Sequence, residues 1–271
     1  KTYDVRIDYS QSPDGRKNAT EMNYWAKDNP SLRLEWAMPS DADIIAGQIA
    51  PYREQLADAD AIVFVGGTDH NLDCEGRDRT SMQFPQGQTE LIRQVSAING
   101  KTIVVLMHGA PIDLPWIDRV PAVLDMFFPG MEGGTAMADI LFGDADPSGR
   151  LTFSWPERLE DSPVYELATQ DVDNVNYEDS LMVGYRYFDT KRVTPRYEFG
   201  YGLSYTTFDY SKMKVKKDGD NCVVTLHVKN TGSRDGAEVV QIYVGQKNCR
   251  YTRPVHELKA FDKVFLKPGE S

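Results

Sequence analysis

The chain has 271 residues, with 30 Lys+Arg against 41 Asp+Glu, a net charge of −11, 41% hydrophobic and 26% charged residues. This is globular composition with room for about two domains. The acidic balance argues against a nucleic-acid partner, which needs clustered Lys/Arg to neutralise phosphates, and no apolar run approaches the roughly 18 residues of a membrane span.

Residues 1–40 open inside an alternating strand, with Val5 and Ile7 on one side and Asp4, Arg6 and Asp8 on the other. A second strand pattern, Leu32–Met38, comes after a polar loop containing a glycosylation sequon at Asn18-Ala19-Thr20. Two strands cannot hold a sheet alone. This stretch is therefore expected to be the tail of a larger β module, and the chain a portion of a longer polypeptide.

Residues 41–160 alternate strand and helix patterns. Ala61–Gly67 is a continuous apolar run, expected to be a parallel strand buried on both faces. Leu91, Ile92, Val95 and Ile98 recur at helical spacing, with Asn99-Gly100 as the expected C-cap. Thr102–Met107 and Ala122–Phe127 read as further strands, and Met137, Ile140 and Leu141 mark a helix that starts near Glu132-Gly133-Gly134. Leu151–Trp155 reads as a closing strand. The rhythm predicts an α/β unit, a mostly parallel sheet with flanking helices. Ligands of such sheets sit beyond the carboxyl ends of the strands, which directs attention to the loop after Gly67.

Residues 161–207 are rich in aromatics with little periodicity and read as a connecting segment. Either the rings glue two domains together or some line a sugar site, since flat rings stack on sugar C–H faces. From residue 208 the pattern is all-β. Val224, Leu226 and Val228 alternate with polar neighbours, as do Val240 and Ile242, and about four strands precede Ser271. An immunoglobulin-like sandwich needs about seven, so this part is expected to be incomplete.

The loop after Gly67 carries Asp69, Asp73, Glu75 and Asp78 with Arg77 and Arg79, four carboxylates and two arginines in eleven residues. Such a set serves general acid/base chemistry if burial or a neighbouring carboxylate holds a proton on one member. It equally describes a solvated loop. Asp139, Asp144 and Asp146 lack EF-hand spacing and read as a surface turn. His108 and His227 read as structural. The three cysteines, Cys74, Cys222 and Cys249, are too few for a disulfide framework and have no metal-ligand spacing; Cys222 and Cys249 can pair only if their strands adjoin.

Several segments, in order, resemble glycoside hydrolase family 3. CEGRDRTSMQFPQGQTELI is similar to the family segment that opens on E-G-x-D-R, and HGAPIDLPW (His108–Trp116) to its N-G-x-P stretch. Phe127–Pro156 resembles its P-G-x-E-G-G segment, and Tyr197–Phe208 its F-G-x-G-L-S-Y-T-x-F motif. The stretch from Thr252 resembles its fibronectin type III-like domain, and residues 1–40 resemble the end of a protective-antigen-type insert.

The resemblance implies a retaining exo-acting β-glycosidase, most often a β-glucosidase, with the β-xylosidases of the same family as the alternative. A non-catalytic carbohydrate-binding or scaffold fragment is a second reading. The nucleophilic Asp is implied to lie on a (β/α)8 barrel outside this chain, so the chain alone is expected to be inactive. The Glu of the motif falls on Glu75, implied as acid/base, with Asp73 in reserve and Asp69 behind it. Asp78 and Arg79 are implied to support the loop, and Cys74 to be a free thiol that fills space. No cofactor or metal is expected, because two carboxylates complete the reaction. The expected partners are a β-linked oligosaccharide or an aryl or alkyl β-glycoside, and the barrel of the same polypeptide. A homodimer and a secreted or periplasmic setting fit this reading.

Overall fold

The structure, a computed structural model, describes residues 40–69, 71–76, 79–85, 87–165 and 177–271. The strands expected within residues 1–39, and Arg77 and Asp78, lie outside the described residues.

Helix α1 (Asp41–Ile49) starts at Ser40, whose hydroxyl accepts from the Asp43 N–H, and Asp41 and Asp43 in its first turn complement the helix dipole. A 3-10 turn leads into α2 (Arg53–Asp58). Strand β1 (Ile62–Gly67), helix α3 (Gln88–Ile98), strand β2 (Thr102–Met107), strand β3 (Ala122–Asp125) and helix α4 (Gly133–Phe142) complete the α/β unit. The sheet order is β1-β2-β3, all parallel, with Phe64 beside Val104 and Val104 beside Val123.

One face of the sheet carries the core. Phe64, Val104 and Leu106 pack with Ile92 of α3 and with Met82, Phe84, Ile112, Leu114, Trp116 and Trp155. Phe84 meets Phe64 edge-on at 6.3 Å between ring centroids. A smaller cluster, Ile45, Ile49 and Val95 with Leu56 and Ile98, seats α1 and α2 on α3. Each large apolar side chain so enclosed is worth about 1.5–3 kcal/mol.

Three sequence expectations need correction. Strand β1 is not buried on both faces: Val63 and Val65 are 45% and 44% exposed, because the side chains opposite Phe64 meet no covering element among the described residues. Helix α3 is capped at Asn99 as expected, its N–H bonding the Val95 carbonyl, but without a left-handed residue there. Asn99 is extended, and its side chain instead donates to the Leu56 and Ala59 carbonyls, at 3.0 and 2.8 Å, tying the helix end to α2. Leu151–Trp155 forms no strand. It runs extended against residues 197–201 through scattered bonds, such as Trp155 N–H to Tyr197 O at 2.8 Å, with one bridge at Trp155. Asp146 is no surface turn: it accepts from the Ser204 hydroxyl (2.8 Å) and the Tyr205 N–H (2.7 Å), clamping the chain after α4 to the segment entering the β part.

The aromatic connection contains helix α5 (Tyr185–Lys191). Its rings act as glue: Tyr185 packs on Phe199 and Tyr243, and its hydroxyl accepts from the Leu258 N–H at 2.8 Å. The β part consists of two antiparallel pairs, β4 (Phe208–Asp218) with β5 (Asn221–Asn230) and β6 (Gly236–Val244) with β7 (Glu257–Leu266). The alternation read in β5 holds, with Val224, Leu226 and Val228 half-buried and Val223, Thr225, His227 and Lys229 exposed. Cys222, on β5, and Cys249, after β6, are free thiols.

Candidate active site

Strand β1 ends in two glycines because its end is crowded. A Cβ on Gly67 would stand 1.6 Å from the Met107 carbonyl oxygen, and one on Gly66 would meet the Gln88 side chain. Gln88, at the start of α3, binds the Gly67 N–H and carbonyl through its amide, both at 2.9 Å. The Thr68 N–H then continues the ladder to Met107 O. The chain turns at Asp69, whose carboxylate accepts from the Asn71 N–H and whose carbonyl accepts from the Leu72 and Asp73 N–H groups.

That turn aims Asp73 back at the sheet. Its Oδ2 accepts from the Thr68 hydroxyl and from the Gly109 N–H at 2.9 Å, and its Oδ1 lies 3.6 Å from Arg79 Nη1. Both charged side chains are largely buried, at 10% and 14% exposure. Arg79 Nη1 also reaches the Ala110 and Pro111 carbonyls, each at 3.3 Å. Asp73 and Arg79 thus fasten the β1 loop to the turn after β2. A carboxyl group with a hydroxyl, an amide and a guanidinium around it is held in place. Nearby, burial raises the Asp113 carboxyl above its ordinary range, against the pull of Arg79.

Cys74 and Glu75 come next, both exposed, and Gly76 takes a left-handed φ of 74° that turns the chain sharply beyond Glu75. Cys74 therefore does not fill space in the interior as expected. Of the sequence-derived set, the structure brings Asp73 and Arg79 together and leaves Glu75 exposed, two residues beyond Asp73; Asp69 shapes the turn.

Thr68, Gln88, Gly109 and Ala110 have structural parts here that sequence reasoning missed. The signal was available, since the rule that ligands gather at strand carboxyl ends applies to β2 and β3 as well as to β1. Phe128, just past β3, is half-exposed against this corner: a Cβ on Gly109 would touch both its ring and Asp73.

A cleft of about 250 Å³ beside the loop is lined by Gly67, Thr68, Asp69, Leu72, Gln88 and Met107. A larger one, about 680 Å³, lies between the chain after α4 and the β6–β7 pair and includes none of the loop residues. Its acidic and basic groups belong to the domain junction, so chemistry is sought at the loop. Among the described residues, no three His, Cys, Asp or Glu side chains converge as a metal-ligand set, and no helix is long and apolar enough to cross a membrane.

The family model for the glycosyl hydrolase family 3 C-terminal domain matches residues 3–205, and that for the fibronectin type III-like domain matches residues 238–271. Thermostable beta-glucosidase B of Acetivibrio thermocellus is 45% identical over 214 residues, 78% of this chain and 28% of the relative. Beta-glucosidase BoGH3A of Bacteroides ovatus is 41% identical over 227 residues, 80% of this chain and 30% of the relative. The crystal structure of the Kluyveromyces marxianus beta-glucosidase in complex with glucose superposes with a TM-score of 0.79 at 37% identity, covering 86% of this chain and 28% of that one. The Bifidobacterium adolescentis GH3 beta-glucosidase gives 0.80 at 37% identity, covering 87% and 35%. The chain thus spans under a third of the length of the two curated relatives.

Proposed function

The chain belongs to glycosyl hydrolase family 3, and from that membership we propose that it is the C-terminal portion of a retaining β-glucosidase, with Glu75 as the general acid/base. The observation that carries this reading is the contrast within the β1 loop. Asp73 is fastened by Thr68, Gly109 and Arg79, while Glu75, two residues on, stands exposed on the anchored loop. A fastened carboxylate holds geometry; an exposed one on a fixed base can meet a substrate.

Retention uses two carboxyl groups about 5–5.5 Å apart. The second, the nucleophile, is assigned to a barrel outside this chain. In the first step Glu75 gives its proton to the glycosidic oxygen as the C1–O bond breaks and the nucleophile bonds to C1. In the second, the Glu75 carboxylate takes a proton from water as the water oxygen attacks C1 and releases the nucleophile. Asp73 and Arg79 bear on the reaction through the loop alone. The sugar is assigned as glucose on the names of the relatives, one of which holds glucose. The setting is assigned as secreted or periplasmic on the same family reading.

The test is leaving-group dependence in the full-length protein. With Glu75→Gln, kcat/KM for phenyl β-glucoside should fall by about 10²–10⁴, the usual worth of general acid catalysis, while 2,4-dinitrophenyl β-glucoside, which leaves without a proton, should be cleaved in its first step at near wild-type rate. Wild-type rates on the phenyl glucoside would remove Glu75 from the role. Cleavage of β-xylosides with indifference to β-glucosides would overturn the sugar and leave the acid/base assignment standing.

A further inference from the structure

Beneath the Asp73 loop lies a pair, the buried His108 and the part-buried Asp125, that the proposed reaction does not use. His108, the residue after β2, is fully buried. Its Nδ1 lies 3.0 Å from the Ala110 carbonyl oxygen and its Nε2 lies 3.1 Å from Asp125 Oδ1, at the end of β3. A carbonyl only accepts, so Nδ1 carries the proton of that bond. The Asp125 contact is in ion-pair range but off the line of a hydrogen bond, and Asp125 Oδ2 is buried with no hydrogen-bond partner among the described residues. The His108 ring stands beside this carboxyl group.

The surroundings fix the pair tightly. The rings of Trp155 and Phe127 wall the imidazole at 5.0 and 5.7 Å between centroids. Phe127 has a φ of 50°, uncommon for a bulky residue, and its N–H donates to Asp125 Oδ1 at 3.2 Å. Backbone held in such a region persists only where its neighbours over-determine it.

The pair is also connected to the loop above. The Ala110 carbonyl that accepts from His108 accepts from Arg79 as well, and Arg79 faces Asp73. Gly109, between His108 and Ala110, donates its N–H to Asp73. The turn 108–110 is gripped from below by His108 and from above by Asp73 and Arg79. We propose that His108, seated against Asp125, is a positioning residue for the proposed acid/base: it fixes the 108–110 turn, the turn fixes Asp73, and Asp73 fixes the loop that carries Glu75. The catalytic consequence rests on the Glu75 reading; the structural part does not.

The experiment uses the full-length protein with His108→Asn, His108→Gln and Asp125→Asn. The asparagine amide reaches the Ala110 side only, and the glutamine amide reaches the Asp125 side. Hydrogen exchange is followed in the 68–79 and α3 peptides, beside kinetics on phenyl and 2,4-dinitrophenyl β-glucosides. Exchange in 68–79 should speed up about tenfold or more in His108→Gln and Asp125→Asn while α3 keeps its protection. Turnover of the phenyl glucoside should fall by about tenfold or more with KM little changed, because a displaced acid costs rate before binding. The dinitrophenyl glucoside should be spared in its first step, read as kcat/KM, and His108→Asn, which keeps a donor toward the Ala110 carbonyl, should recover part of the loss.

Unchanged 68–79 exchange in variants that keep α3 protected overturns the proposal. So does an equal loss of kcat/KM with both leaving groups, which would make His108 a general fold residue. If the wild-type protein cleaves neither glucoside, the glucose assignment fails, the kinetic comparison passes to the matching β-xylosides, and the exchange data still decide whether His108 holds the loop.

Discussion

Replacing Asn230 by alanine removes a fully buried side chain whose polar atoms are all paired. Its Nδ2 donates to the Arg234 and Leu266 carbonyls at 2.8 and 2.9 Å, and its Oδ1 accepts from the Thr206 hydroxyl at 2.7 Å and the Gly232 N–H at 3.1 Å. These bonds tie the end of β5 to the end of β7 and to the segment that enters β4. At about 1 kcal/mol net for each bond, with the abandoned buried partners adding to the loss, Asn230→Ala should cost roughly 3–5 kcal/mol. Urea unfolding followed by circular dichroism reads this as a lowered midpoint with an unchanged slope. Asn230→Asp keeps the shape and turns both donor protons into acceptors that face carbonyls. At pH 7 it should be at least as damaging as alanine. Burial there raises the new carboxyl above its unfolded value, so stability should return as pH falls through the folded value and be lost again as it rises. An alanine variant within about 1 kcal/mol of wild type would show that these bonds do not hold the β part together.

Three further outcomes rest on particular contacts. The Tyr210 hydroxyl donates to Glu238 at 2.7 Å; burial first, then that bond and the Glu238 charge, raise its pKa well above the ordinary value. A group raised on folding loses its stabilising share as pH climbs from the unfolded value, about 10, toward the folded one, so Tyr210→Phe should flatten the alkaline fall of the thermal midpoint. Trp155→Phe deletes the bond from the indole N–H to the Ile112 carbonyl, 2.9 Å long and buried, and should cost about 1–3 kcal/mol in a denaturant titration. Gly67→Ala sets a methyl 1.6 Å from the Met107 carbonyl oxygen and forces β1 from β2. It should destabilise by about 3 kcal/mol or more and raise hydrogen exchange at Thr68 and Asp73.

The elements legible in the sequence are those whose signal is local. The apolar runs of β1 and β2, the 3.6-residue spacing of Leu91, Ile92, Val95 and Ile98, and the alternation of Val224, Leu226 and Val228 each report a face that neighbours must cover. Leu151–Trp155 misled because an apolar extended run looks the same whether or not a strand lies beside it, and its partners are residues 197–201. Val63 and Val65 misled because hydrophobicity does not say which face another element covers. At the site, the cluster of carboxylates was visible, but its division of labour was not. Asp73 is fixed by Gly109, 36 residues away, and Arg79 by Ala110, 31 residues away, and nothing in the loop's own composition encodes those contacts. His108 read as structural; its place between Ala110 and Asp125 depends on the parallel register that sets Leu106 beside Asp125.

Azide rescue of Glu75→Ala and Asp73→Ala, side by side in the full-length protein with 2,4-dinitrophenyl β-glucoside as substrate, tests the division between these two carboxylates most directly. If Glu75 is the acid/base and Asp73 the anchor, azide replaces water without needing a base in the Glu75 variant, speeds turnover and yields the β-glucosyl azide; the Asp73 variant keeps Glu75 as its base and gains far less from azide. Rescue of the Asp73 variant, with none in the Glu75 variant, would contradict the assignment and exchange the two roles.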